Sequence, residues 1–255
     1  MNFDLFIADG LFAFLLIFCR VGSAMMIMPG IGDSFVPTNI RLMFVLSVSF
    51  VMTPVLSAVL PPPPSDLLPF AVLVGAEILV GLFIGTVMRV LISALDTVGM
   101  MVSLQSGFAN ALVFNAIAGG QGSMVGAMFS ILGVLLLFVT NMHHLLLQSI
   151  FESYSLFPAD SSVLDTKSML EVVSQSVNTA FNTGIQMAAP FIVVGLLLYT
   201  GFGLLGRLMP QIQVFFLALP IQILLSLITL SMVFSAAILF WLSMYEDQII
   251  QLLGQ

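Results

Sequence analysis

The chain has 255 residues, 60% of them apolar and only 7% charged, where an ordinary soluble domain is about one-quarter charged; a water-solvated globular domain is excluded. Five Lys and Arg stand against twelve Asp and Glu, a net charge of -7, so no basic patch exists to release counterions and nucleic acid is not an expected partner. Cys19 is the one cysteine, which leaves no intrachain disulfide and no thiolate metal cluster.

The mean hydropathy of +1.20 is spread over apolar runs at about residues 10–28, 40–60, 67–92, 123–148, 180–206 and 211–243. Each is long enough, as a helix, to cross a ~30 Å hydrocarbon layer, and none alternates as the strands of a membrane barrel do. The expected fold is therefore all-α, a multi-helix integral membrane protein with about six spans. In the first run Asp4 and Asp9 stand where a signal peptide would be basic, and Arg20 lies within the apolar stretch, so a span is expected rather than a cleaved signal peptide. It ends at Met28-Pro29-Gly30-Ile31-Gly32, and Pro37 restarts a helix before Arg41. Four prolines, Pro61 to Pro64, form a stiff turn before the third run.

Asp96 to Gly122 is of intermediate polarity, and a polar loop from Glu152 to Glu171 holds four acidic residues and Lys167. The fifth run is expected to break at Gly201-Phe202-Gly203, near Arg207 and Pro210. Pro220 is expected to kink the sixth, which extends to Glu246-Asp247. With the N-terminus outside, Arg41, Arg89 and Arg207 all fall at cytoplasmic ends of spans, as the positive-inside rule requires. Both termini are then periplasmic.

A charge at bilayer depth costs at least ~2.5 to 3.5 kcal/mol, so Arg20, Glu77, Arg89 and Asp96 each require a partner or a water-filled cavity. Arg89, Ser93 and Asp96 share one helical face and allow an internal ion pair, with snorkelling to the interface as the alternative. Glu77 precedes Gly81 and Gly85, a spacing that admits a neighbouring helix closely; it either holds a helix–helix contact, handles protons or sits at the interface. Gln211, Gln222, Ser226 and Thr229 form a polar stripe on the last run, expected to hydrogen-bond between helices, with an aqueous lumen as the alternative. Asn110 to Gly126 is rich in glycine and alanine, yet makes neither GxGxxG nor GxxxxGK[ST], so no nucleotide site follows.

His143 and His144 point ~100° apart on a helix and have no ligand at metal spacing. No G-x-S-x-G, H-E-x-x-H or paired-carboxylate pattern occurs. No catalytic residue, cofactor or metal is expected, and the chain is not expected to be an enzyme.

Several stretches together resemble the FliR family of type III secretion export-gate subunits: Arg20-Val21 with Pro29, Pro37, Arg41 and Pro54; Glu77-Ile78-x-x-Gly81-x-x-x-Gly85 through Gly99, Gln105, Gly107, Phe108 and Ala109; Asn141-x-His143-His144 with Ser153 and Pro158; and Gly206-Arg207-x-x-Pro210-Gln211-x-x-Val214 to Pro220. The resemblance implies a single membrane-embedded export-gate domain of helical hairpins packed in a hetero-oligomer, with N-terminal hairpins over 1–95, a plug-like segment over 106–122 and C-terminal hairpins over 123–255. It implies FliP-like and FliQ-like subunits as partners, FlhB- and FlhA-like components nearby, unfolded flagellar proteins as cargo, and a place in the bacterial inner membrane at the flagellar basal body.

Its candidate plug residues are Gly107, Phe108, Asn110, Phe114, Asn115, Gly119, Gly120, Gln121 and Gly122, although Phe114-Asn115-Ala116 departs from the Asp-Pro many relatives carry there. Its candidate buried charges or intersubunit contacts are Arg20, Glu77, Arg89, Asp96, Arg207, Gln211 and Gln222. The alternative function is a multi-span small-molecule transporter or channel with a midplane site at Glu77 and the glycine-rich break.

Overall fold

The computed structural model describes residues 3–107, 123–159, 166–209 and 214–254, the side chains of 3–9 and 214–217 excepted. The described residues form helices α1 (Phe3–Ile27), α2 (Thr38–Leu56), α3 (Leu67–Gln105), α4 (Met124–Val139), α5 (Met142–Leu156), α6 (Thr166–Leu208) and α7 (Val214–Leu252). Proline sets several of their limits. Pro37, with φ -57° and ψ 138°, stands immediately before α2, and Pro69 occupies the first turn of α3, where its missing N–H is not needed.

Five helices are long and apolar enough to cross a membrane, and the α4–α5 pair, bent by 79°, makes a sixth if counted as one span. The fourth apolar run is thus not the continuous span expected. It breaks at Asn141, whose φ of 61° is left-handed, a conformation asparagine tolerates better than most residues. Hydropathy averaged over a span does not register such a break, because the runs Leu135–Val139 and Leu145–Leu147 on either side are apolar.

Helices α3, α6 and α7 extend furthest past the expected runs. α3 continues through Asp96 to Gln105, α6 begins at Thr166 inside the expected polar loop and passes through Gly201 and Gly203 without a break, and α7 passes Glu246 to reach Leu252. At 43 residues, α6 is about 64 Å long, roughly twice the hydrocarbon thickness. Glycine in a helix costs only about 1 kcal/mol, which neighbouring leucines readily offset.

The chain divides into two compact units, one of residues 1–91, 134–177 and 246–255, the other of 92–133 and 178–245. In the first, α1 and α2 form a hairpin, and Leu16, Ile17, Val21, Ala24 and Met25 of α1 are fully buried. Gly22 meets the Val45 side chain of α2 at ordinary contact distance. In the second, Ala94 and Leu95 of α3, Phe129 of α4, Ala188 of α6 and Trp241 of α7 are buried. Small residues set its packing: Gly99 lies against the Gly126 backbone, Gly133 against Leu95, and Gly184 within 2.8 Å of Thr97 as measured from an added Cβ.

Candidate functional site

Arg20 lies on the buried face of α1 and is 1% exposed, as is Glu77 on α3. Its Nε donates to Glu77 Oε2 at 2.6 Å and its Nη2 to Oε1 at 2.9 Å, a bidentate pair. Nη2 also donates to the Phe157 carbonyl at 2.9 Å and Nη1 to Ser153 Oγ at 3.2 Å. The Tyr154 ring lies 3.9 Å from the guanidinium carbon, a cation–π contact. Two segments, α3 and residues 153–157, therefore converge on the guanidinium carried by α1, and both carboxylate oxygens of Glu77 are occupied by it.

The glycines following Glu77 make this possible. A Cβ at Gly81 would run into the Arg20 carbonyl and the Ser23 hydroxyl, and one at Gly85 would lie 2.6 Å from the Ala24 carbonyl. The backbones of α1 and α3 touch along this edge, bringing Arg20 within reach of Glu77.

Arg89 pairs with Asp33, in the α1–α2 loop, and not with Asp96 on its own helix. Seven residues of helix separate Arg89 from Asp96 by about 10.5 Å along the axis, whereas the loop brings Asp33 directly to it. Asp33 Oδ2 also accepts from Gly30 N at 2.8 Å, and Arg41 Nη2 donates to the carbonyls of Asp33 at 2.8 Å and Val36 at 3.2 Å. Asp96, in the second unit, instead accepts a hydrogen bond from Ser130 Oγ. Arg207 is exposed in the last turn of α6.

In the second unit Gln222, 5% exposed, donates from Nε2 to the carbonyl of Gln105 and to Tyr199 Oη at 3.0 Å. Gln105 is the last residue of α3, so its carbonyl is one of those a helix end leaves without an intrahelical partner. Gly107 follows with φ 77°, the left-handed turn that commonly ends a helix. At the start of α4, the Ser123 and Ser103 hydroxyls are 2.6 Å apart, and Ser123 also donates to the Gly99 carbonyl at 3.0 Å. Residues 103 and 123 are thus held together. Of the plug candidates only Gly107 is among the described residues; Phe108, Asn110, Phe114, Asn115, Gly119, Gly120, Gln121 and Gly122 lie outside them, as does Gln211.

Residues 11–248 match the family described as bacterial export proteins, family 1. The flagellar biosynthetic protein FliR of Caulobacter vibrioides is 36% identical over 91% of this chain and 92% of its own length. The chain belongs to the FliR family of bacterial export proteins. FliR of Bacillus subtilis is 29% identical over 86% of the chain and 84% of its own length. The secretion system apparatus protein SsaT of Salmonella typhimurium is 27% identical over 65% of the chain and 64% of its own length. These FliR-family relatives lend no support to the small-molecule transporter.

Sequence reasoning missed Asp33, Ser103, Ser123, Tyr154 and Tyr199, and singled out Ser153 only as part of the family resemblance. Ser123 opens α4 and Asp33 lies among proline and glycine, positions where short polar side chains commonly bond nearby backbone. Nothing local marks Tyr154 or Tyr199, whose partners come from distant segments.

Proposed function

We propose that this FliR-family subunit of a type III secretion export apparatus assembles with FliP-like and FliQ-like subunits into a closed gate, through which unfolded flagellar proteins leave the cell. The observation that carries this reading is similarity to a flagellar FliR along nine-tenths of both chains. The described geometry is in keeping with a structural role. The buried Arg20 and Glu77 are consumed by mutual pairing, so neither is free to bind a solute.

The gate sits in the bacterial inner membrane at the flagellar basal body, with both termini periplasmic and FlhB- and FlhA-like components beside it. The segment 106–122 acts as its plug. Support comes from the hydrogen-bonded ends of that segment: Gln222 at the end of α3, and the paired hydroxyls of Ser103 and Ser123. A stopper held at its base is one that can move aside and return.

The test is native mass spectrometry of the detergent-solubilised chain co-expressed with FliP-like and FliQ-like subunits. A stable hetero-oligomer containing one copy of this chain supports the gate. A monomer or homodimer indifferent to both partners removes the reading.

A further inference from the structure

We propose that the Asp33–Arg41–Arg89 cluster of the first unit binds the headgroup phosphate of an anionic phospholipid, whose acyl chains lie along the outer face of α2. Three observations carry this, and none depends on the export reading.

The first is depth. The apolar part of α1, Gly10–Ile27, has 18 residues and α2 has 19, so each is about 27 to 29 Å long, one hydrocarbon thickness. The loop joining them holds Asp33, and Arg41 lies in the first turn of α2. Arg89 reaches the same loop through its pairing with Asp33. All three groups therefore gather where two membrane-length helices end, the level of lipid phosphates.

The second is charge. Arg89 pairs with the Asp33 carboxylate while Arg41 is bonded to the backbone carbonyls of Asp33 and Val36, leaving one positive charge uncompensated within the cluster. Asp33 is 13% exposed whereas Arg89 is 48% exposed, so the cation is the group presented outward. Arg41 Nε is buried with no hydrogen-bond partner among the described residues, although both Nη2 bonds of that side chain are made. Guanidinium is the side chain best suited to bind phosphate oxygens in pairs.

The third is the adjoining surface. Ile40, Met43, Phe50, Val51 and Val55 of α2 are 59%, 70%, 72%, 70% and 60% exposed. They recur at helical spacing and form an apolar track running away from the arginines. A charged head with an apolar track leading from it matches an amphiphile better than a soluble anion.

The experiment is native mass spectrometry of the delipidated full-length chain, titrated with phosphatidylglycerol or phosphatidylethanolamine of the same acyl composition. One cationic side chain near a membrane surface favours anionic lipid about fivefold, and phosphatidylglycerol should be preferred by roughly that factor. Arg89→Gln should abolish the preference. Asp33→Asn, which keeps an acceptor for Gly30 N but releases Arg89 from its ion pair, should increase it.

A large molar excess of inorganic phosphate should leave the lipid adduct in place. Equal uptake of both lipids, a preference surviving in Arg89→Gln, or displacement by inorganic phosphate would overturn the proposal. So would an Arg89→Gln variant with unchanged lipid uptake that loses a co-purifying subunit, since a protein carboxylate would then be the occupant.

Discussion

Arg20 and Glu77, 57 positions apart in sequence, meet as a bidentate ion pair in which both side chains are 1% exposed. Removing one partner of such a pair strands a charge, which typically costs about 3–5 kcal/mol, whereas replacing both with well-packed apolar residues is often neutral. Glu77→Gln should therefore greatly reduce the thermal stability of the detergent-solubilised chain. Arg20→Met combined with Glu77→Leu should recover much of the loss. A double variant no better than the single would mean that Arg20 matters more through Ser153, Phe157 and Tyr154.

The glycines should divide into two classes. Gly81→Ala places a Cβ against the Arg20 backbone and should separate α1 from α3, lowering stability by about 1–3 kcal/mol as overpacking does. Gly75, Gly201 and Gly203 have open space where a Cβ would go, so alanine there should leave stability unchanged or raise it by up to about 1 kcal/mol. Thermal unfolding of the four single variants in one detergent checks the ranking.

Asn141 should tolerate glycine but not a β-branched residue. Its φ of 61° suits glycine at no steric cost, while a left-handed conformation costs other residues about 1–2 kcal/mol. Asn141→Val should be measurably less stable than Asn141→Gly, by protease resistance or melting temperature. Equal stability would mean that the α4–α5 break relaxes into a continuous helix.

Gln222→Leu removes the donor that satisfies the last carbonyl of α3 and the link to Tyr199. An unpaired buried acceptor costs about 1–3 kcal/mol, and the base of the segment leading to the plug candidates would loosen. Assembly should survive while ion permeability of cells producing the variant rises. Shortening residues 110–122 should do the same more strongly. Unchanged permeability in both would make the segment an ordinary surface connection.

The apolar runs and the charges needing partners were legible because lipid leaves few alternatives for either. Gly81 and Gly85 were legible for the same reason, as helix spacing alone puts them on one edge. Partner choice was not. Arg89 has Asp96 on its own face seven residues on, yet takes Asp33 because a loop brings the carboxylate to it while the helix holds Asp96 about 10.5 Å away. The ends of α3, α6 and α7 were misjudged because hydropathy falls where polar residues begin, whereas the helical hydrogen-bond ladder continues through them. Asn141 left no signal except its identity.

Along α6, Met169, Ala180, Met187 and Phe191 face inward, and the opposite side changes character part-way. Ser174, Asn178, Asn182 and Gln186 are exposed on its N-terminal half, and Asn182 donates to Asn178 at 3.1 Å. Beyond them the exposed residues include Val193, Leu196 and Leu197, at 58%, 65% and 66%. One rod is thus written for two surroundings, hydrocarbon at one end and amide-compatible company at the other. In detergent the micelle covers the first while water meets the amides of the second, so the two halves of the rod are solvated differently.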